Sequence, residues 1–303
     1  MPSPAEVAAD HAGFRRRLAL AVAGESQRLW SQVDPGRIRQ SWLTSIARML
    51  VLLTGAQRAA AGQADSYLDA ILSAQRISPA RSGSVQVAGL SGIASDGRDL
   101  EDLLYRPVVT ALTGIQRGAT PARSLAGGQA LLDMIVRTQV ADAGRIADQV
   151  AMVARPQATG YVRLLVGRSC ARCAILAGRR YTWQADFKRH PRCDCTAVPA
   201  REDTADDLRT DPRRYFDSLT AAEQDRQFTR AGAEAIRTGA DIAQVVNARS
   251  GMYSAGDRLL TRVAVRARGQ RGVRLMPGQI IREAAGDRDE ALRLLRRFGY
   301  LTN

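Results

Sequence analysis

Apolar residues recur at three- and four-residue steps over most of this chain, the rhythm of amphipathic helices. Residues 4–32 carry Ala, Leu and Val in that phase, and Arg15, Arg16 and Arg17 read as a basic cluster on a solvated helix face. Asp34-Pro35 has the form of an N-cap and first-turn pair. It predicts a second helix from Arg37 through Trp42 and Ile46 to Gly62, running on toward Gln75. Leu50 to Leu53 is apolar all round, so it should be packed on several sides. Ser78 to Gly97 is rich in Ser, Gly and Ala and lacks helical period, which predicts a loop. Asp99 to Thr113 returns to helix on Leu100, Leu103, Leu104, Val108 and Leu112, with Pro107 as an interior irregularity. Thr120-Pro121 opens a long helix to Ala154, weakened near its start by Gly127-Gly128.

After Arg155-Pro156 the pattern shortens. Tyr161–Val166, Arg179–Trp183 and Cys193–Val198 read as strands of a small antiparallel sheet. The acidic run Glu202 to Asp207 reads as solvated loop, and Asp211-Pro212 caps a short helix carrying Tyr215, Phe216 and Leu219. Thr220 to Glu223 has capping-box form and starts a helix through Phe228, Ala231, Ala235 and Ile236, closed by Gly239. Asp241 caps another over Ile242 to Asn247, and Asp287 to Phe298 is amphipathic.

All four cysteines lie between Cys170 and Cys195, together with one of the two histidines. Cys170 and Cys173 form a C-x-x-C, and His190, Cys193 and Cys195 form an H-x-x-C-x-C. Soft thiolate with imidazole is the donor set that zinc selects, and these are five candidates for four tetrahedral positions. Cys170, Cys173 and Cys195 are the preferred ligands, with His190 or Cys193 as the fourth. Disulfides or redox thiols are the competing reading, but cysteines two apart do not bridge easily and no thioredoxin-like pattern surrounds the C-x-x-C. A catalytic zinc would need an open position, which five soft ligands crowd out. The expected fold class is therefore mainly α, with a small antiparallel β region organised by a Cys/His zinc cluster. Its expected divisions are a helical region over 1–155, a β-rich zinc module over 156–200, and a helical basic region over 201–303.

Composition sharpens the list of partners. The 303 residues are 45% hydrophobic and carry a net charge of +14, with Lys188 the only lysine. Such a charge attracts nucleic acid or an acidic protein surface. Arg258, Arg262, Arg266, Arg268, Arg271 and Arg274 fall in a run without an acid, and are the candidate phosphate or partner contacts. No apolar run reaches transmembrane length, and the first residues do not have signal-peptide form. No P-loop, dinucleotide fingerprint or H-E-x-x-H occurs, and a Ser-His-Asp triad would have to use His11 or His190. An enzyme is not expected.

The cysteine block, Thr220 to Arg249 and Arg274 to Ala285 together resemble the Mu-F-like minor head proteins of tailed bacteriophages, the actinobacteriophage versions above all. The motif that carries this is C-x-x-C followed by H-P-x-C-x-C, here Cys170, Cys173, His190, Pro191, Cys193 and Cys195. The resemblance covers about the last half of the chain. It implies a structural virion component made in the host cytoplasm and seated inside the capsid near the portal vertex. The implied partners are the portal protein, the major capsid or scaffold protein, and double-stranded DNA bound without regard to sequence. Two other classes compete: a zinc-ribbon-like nucleic-acid-binding protein, and a zinc hydrolase or ADP-ribosyltransferase-like toxin. A strong preference for one DNA site would favour the former, and a zinc-dependent turnover the latter.

Overall fold

The computed structural model describes residues 2–165, 169–185, 195–240, 242–249 and 283–297. These are mainly helical, with one three-stranded antiparallel sheet. The helices are α1 (Pro4–Trp30), α2 (Ile38–Ala61), α3 (Ala64–Ala74), α4 (Leu100–Gln116) and α5 (Pro121–Val153). Strands β1 (Gly160–Leu164), β2 (Arg180–Thr182) and β3 (Thr196–Ala200) flank α6 (Ala171–Ala177). Then come α7 (Ala205–Leu208), α8 (Pro212–Asp217), α9 (Ala221–Phe228), α10 (Arg230–Arg237), α11 (Ile242–Arg249) and α12 (Arg288–Arg297). Among the described residues no helix is long and apolar enough to cross a membrane.

The caps are where the side chains call for them. Ser3 and Glu6 form a reciprocal capping box at α1, and Thr220 with Glu223 does the same at α9. Thr120 caps α5 with Pro121 in its first turn. Asp34-Pro35 does not start α2. The Asp34 carboxylate turns back on Gly36 N at 2.8 Å and on Arg37, and the helix begins at Ile38. The expected run on to Gln75 breaks at Gly62-Gln63, which redirects the chain into α3. The helix expected from Thr220 to Gly239 is two, because Thr229 takes φ 65 and ψ 158 and restarts α10 by capping it. The acidic run expected as loop forms a 3-10 turn over Glu202–Thr204 and then the short α7.

At 33 residues, α5 is about 50 Å long. Two apolar cores lie along it. Near its N-terminal half, Trp30, Trp42, Met49, Leu53, Leu104 and Val136 join α1, α2, α4 and α5. Near its C-terminal half, Leu68, Ile71, Val150, Tyr161, Val198 and Leu295 join α3, α5, the sheet and α12. A third core, around Phe216, Phe228 and Ile236, packs α8 to α11 against α6.

The strand order is β2-β1-β3, with Tyr161 opposite Tyr181 on one side and Pro199 on the other. β3 runs over Thr196–Ala200 with Cys195 at its entrance, and Cys193 of the expected strand lies outside the described residues. A zinc cluster was expected to organise this sheet. What organises it among the described residues is burial: Tyr161, Val162, Val198 and Ala200 all sink into the α3–α5 core. The strand residues are too few to make a core of their own, and the sheet borrows one from α3 and α5.

Candidate metal centre and its buried polar neighbours

The C-x-x-C opens a helix, an element the strand reading did not anticipate. Cys170 is the N-cap of α6, and its Sγ accepts from the backbone N–H of Cys173 at 3.4 Å. The loop before it is pinned by α8, since the Tyr215 hydroxyl accepts from Ser169 N at 3.1 Å and donates to Ser169 O at 2.9 Å. Burial pushes that phenol's pKa up, so it remains a donor.

Cys173 and Cys195 are buried thiols with their sulfurs 3.5 Å apart. Two thiolates on one tetrahedral zinc, each at about 2.3 Å, would stand about 3.8 Å apart. The pair therefore has the bite of two zinc ligands, and Cys170 packs against it beside Leu165. Arg163 on β1 is buried and donates Nη1 to Cys195 Sγ at 3.2 Å, with its guanidinium 5.8 Å from the Tyr181 ring centroid. The buried guanidinium is thus met by an electron-rich sulfur on one side and an aromatic ring on the other.

Among the described residues no three Cys, His, Asp or Glu side chains gather as a metal site. His190 and Cys193 lie outside the described residues, so only Cys170, Cys173 and Cys195 of the five expected ligands are placed. The six candidate contact arginines, Arg258, Arg262, Arg266, Arg268, Arg271 and Arg274, also lie outside them.

One residue beyond Cys195 the structure holds a polar network that the sequence reading missed. Asp148 of α5 is buried and receives Arg15 Nη1 at 2.6 Å on Oδ2. His11 Nε2 lies 3.1 Å from Asp148 Oδ1 and 3.2 Å from Oδ2. Arg15 Nη2 continues to Thr196 Oγ1 at 3.0 Å, so α1 grips the first residue of β3. Tyr67 of α3 stacks on His11 with centroids 3.8 Å apart and donates its hydroxyl to Ala197 O at 2.9 Å. Gly144 makes this possible, because a Cβ there would stand 2.6 Å from Arg15 Cδ.

Burial raises the cost of charge on Asp148, but Arg15 and His11 outweigh it and hold the carboxyl below its usual range. Burial also depresses His11, against the pull of Asp148. Arg15 was expected on a solvated face and is instead buried, while Arg16 and Arg17 are exposed. The signal was in the periodicity. Ala8, His11, Arg15, Ala19 and Val22 share the buried stripe of α1, so both polar residues sit in apolar phase. His11 is committed to this network, and among the described residues no serine bonds to it.

No curated protein and no solved structure matches the chain. A family model described as VG15 protein matches residues 1–222, which takes in the helical bundle, the sheet, the cysteine block and α8. The helical half, which the resemblance to minor head proteins did not reach, is thus the greater part of the match. With that span covered, the chain belongs to the VG15 protein family, a family of viral and phage gene products.

Proposed function

We propose that this protein is a structural minor head protein of a tailed phage, of the Mu-F-like kind, held at the portal vertex on the inner side of the capsid. The observation that carries the reading is the phage family match over residues 1–222, joined to the C-x-x-C and H-P-x-C-x-C spacing at Cys170 to Cys195. The net charge of +14 suits a site beside packaged DNA. On this reading the partners are the portal protein, the major capsid or scaffold protein, and double-stranded DNA without sequence preference, and the protein performs no catalysis.

The same reading gives the thiols a structural zinc. Cys173 and Cys195 would supply two ligands, and Cys170 with His190 or Cys193 the others. The ion would tie the start of α6 to the entrance of β3, and Arg163 would offset the negative charge of the thiolates.

One experiment combines composition of particles with metal content. Mass spectrometry of purified virions should find the protein in few copies beside the portal protein. The isolated protein should carry close to one zinc per chain, lost in Cys173→Ser. Deletion particles that assemble, package and infect normally would overturn the head assignment. A metal-free wild-type protein with normal folding would overturn the zinc assignment alone.

A further inference from the structure

One end of the helical bundle concentrates positive charge. The close of α1 and the starts of α2 and α5 pack there along α4 between Leu104 and Gly114. Trp30 at the close of α1 donates Nε1 to Leu125 O of α5 at 3.0 Å, and Trp42 of α2 donates to Leu104 O of α4 at 2.9 Å. The two tryptophans meet edge to face, 4.9 Å between centroids. Gly128 of α5 lies so close that a Cβ would stand 2.5 Å from Trp30 and 2.8 Å from Pro107 O. Gly114 near the end of α4 is equally tight against Ser124.

Around this junction stand Arg28, Arg37, Arg39, Arg106, Arg117 and Arg123, all exposed. Between residues 103 and 132 there is no acidic residue at all. Between residues 26 and 42 the one acid is Asp34, which pairs with Arg37. Glu25, one residue beyond that span, pairs with Arg28 and Arg48. Arg39 donates Nε to the Tyr105 hydroxyl at 2.7 Å, which orients it without neutralising it. Arg106, Arg117 and Arg123 make no ion pair among the described residues.

Exposed Gln32, Gln40 and Gln116 stand among these arginines, and the exposed acids Glu101 and Asp102 lie one turn before Arg106. Arginines interspersed with amides and hydroxyls are the composition of a backbone-phosphate contact. An interface with an acidic protein would call for an apolar centre, and here the large exposed apolar residues are Leu43 of α2 and Val109 and Leu112 of α4, each less than half exposed.

We propose that this end of the bundle, with Arg106, Arg117 and Arg123 as its unpaired contacts, is a sequence-independent docking face for the phosphate backbone of double-stranded DNA. The inference builds on the DNA contact in the proposed function and assigns it to a rigid, folded face. The arginine run from Arg258 to Arg274 is a separate candidate. A face made of helix ends locked by two tryptophans presents its charges at fixed spacing.

The test uses the full-length protein and a mixed-sequence duplex of about 30 base pairs, with affinity followed by fluorescence anisotropy over a salt series. R106Q/R117Q/R123Q should flatten the slope of log affinity against log salt by about 2.7, since each lost phosphate contact is worth about 0.9. It should leave the melting temperature unchanged, as these side chains make no ion pair among the described residues. The control R209Q/R226Q/R293Q removes the same charge from exposed arginines elsewhere and should leave the slope within about 1 of wild type. Equal slopes for wild type and R106Q/R117Q/R123Q overturn the face. So does an equal flattening by the control, or wild-type protein that does not bind the duplex. Normal incorporation of R106Q/R117Q/R123Q into virions alongside a flattened slope supports the face and leaves the head assignment intact. A variant that loses portal binding while keeping its DNA slope overturns the face in favour of an acidic protein contact.

Discussion

His11 shows how one buried side chain sets a pH dependence. Its pKa is held below the ordinary value near 6.5 because burial disfavours the imidazolium. The unfolded chain therefore takes up this proton first as pH falls. Stability from this residue is complete above about pH 6.5 and is lost as pH drops toward the folded-state pKa. Asp148, depressed by its two cationic partners, adds a second loss only below the usual carboxylate range near 3.9. The melting temperature of wild type should thus fall between pH 7 and 5, and His11→Gln should remove most of that slope while keeping a donor toward Asp148. A wild-type melting temperature flat over this range would contradict the account. Arg163 makes a related point about sequence reading. It was read only as part of the strand Tyr161–Val166, and nothing in that run announced a thiol beside it.

At the scale of the element, α5 contains a controlled comparison. Gly127 and Gly128 are adjacent, and both lower helix propensity. A Cβ on Gly127 meets nothing within 4 Å, whereas on Gly128 it meets Trp30 and the Pro107 carbonyl. Gly127→Ala should stabilise by about 0.5–1 kcal/mol, and Gly128→Ala should destabilise by about 1–3 kcal/mol, both read by chemical denaturation. Opposite or equal signs would mean that the α1–α4–α5 junction is looser than the tryptophan contacts indicate. Helix existence was legible because α1, α2, α4 and α5 are long and periodic, and α1 and α5 are also capped. Helix interruption was not. The breaks at Gly62-Gln63 and Thr229 serve tertiary packing, which a local pattern does not encode. Cys170 was also misread locally, since a cysteine at an N-cap lacks the usual serine or aspartate signature, and α6 went unseen.

For the whole molecule, the two cores strung along α5 should unfold together. Trp30 and Trp42 report the bundle core, and Trp183 reports the core under the sheet. In Trp183→Phe the remaining fluorescence comes from the bundle alone, and its melt should coincide with the far-ultraviolet circular dichroism melt. Two transitions separated by several degrees would mean that α5 does not couple them. The mainly helical class and the place of the sheet could be read from changes in period along the sequence. That α3, α5 and α12 cover the sheet could not, because those segments are distant in sequence and their apolar faces look alike until paired.

The margin of that sheet has one more consequence. β3 is an outer strand, yet α3 lies along it: Tyr67 caps the Ala197 carbonyl, and Gln75 Nε2 reaches Pro199 O at 2.7 Å. Pro199 itself has no N–H to offer. β2, the opposite outer strand, is only three residues long. Among the described residues neither border offers a long open ladder on which a stranger's strand could zip. Copies of this chain can be crowded side by side without templating one another into ribbons.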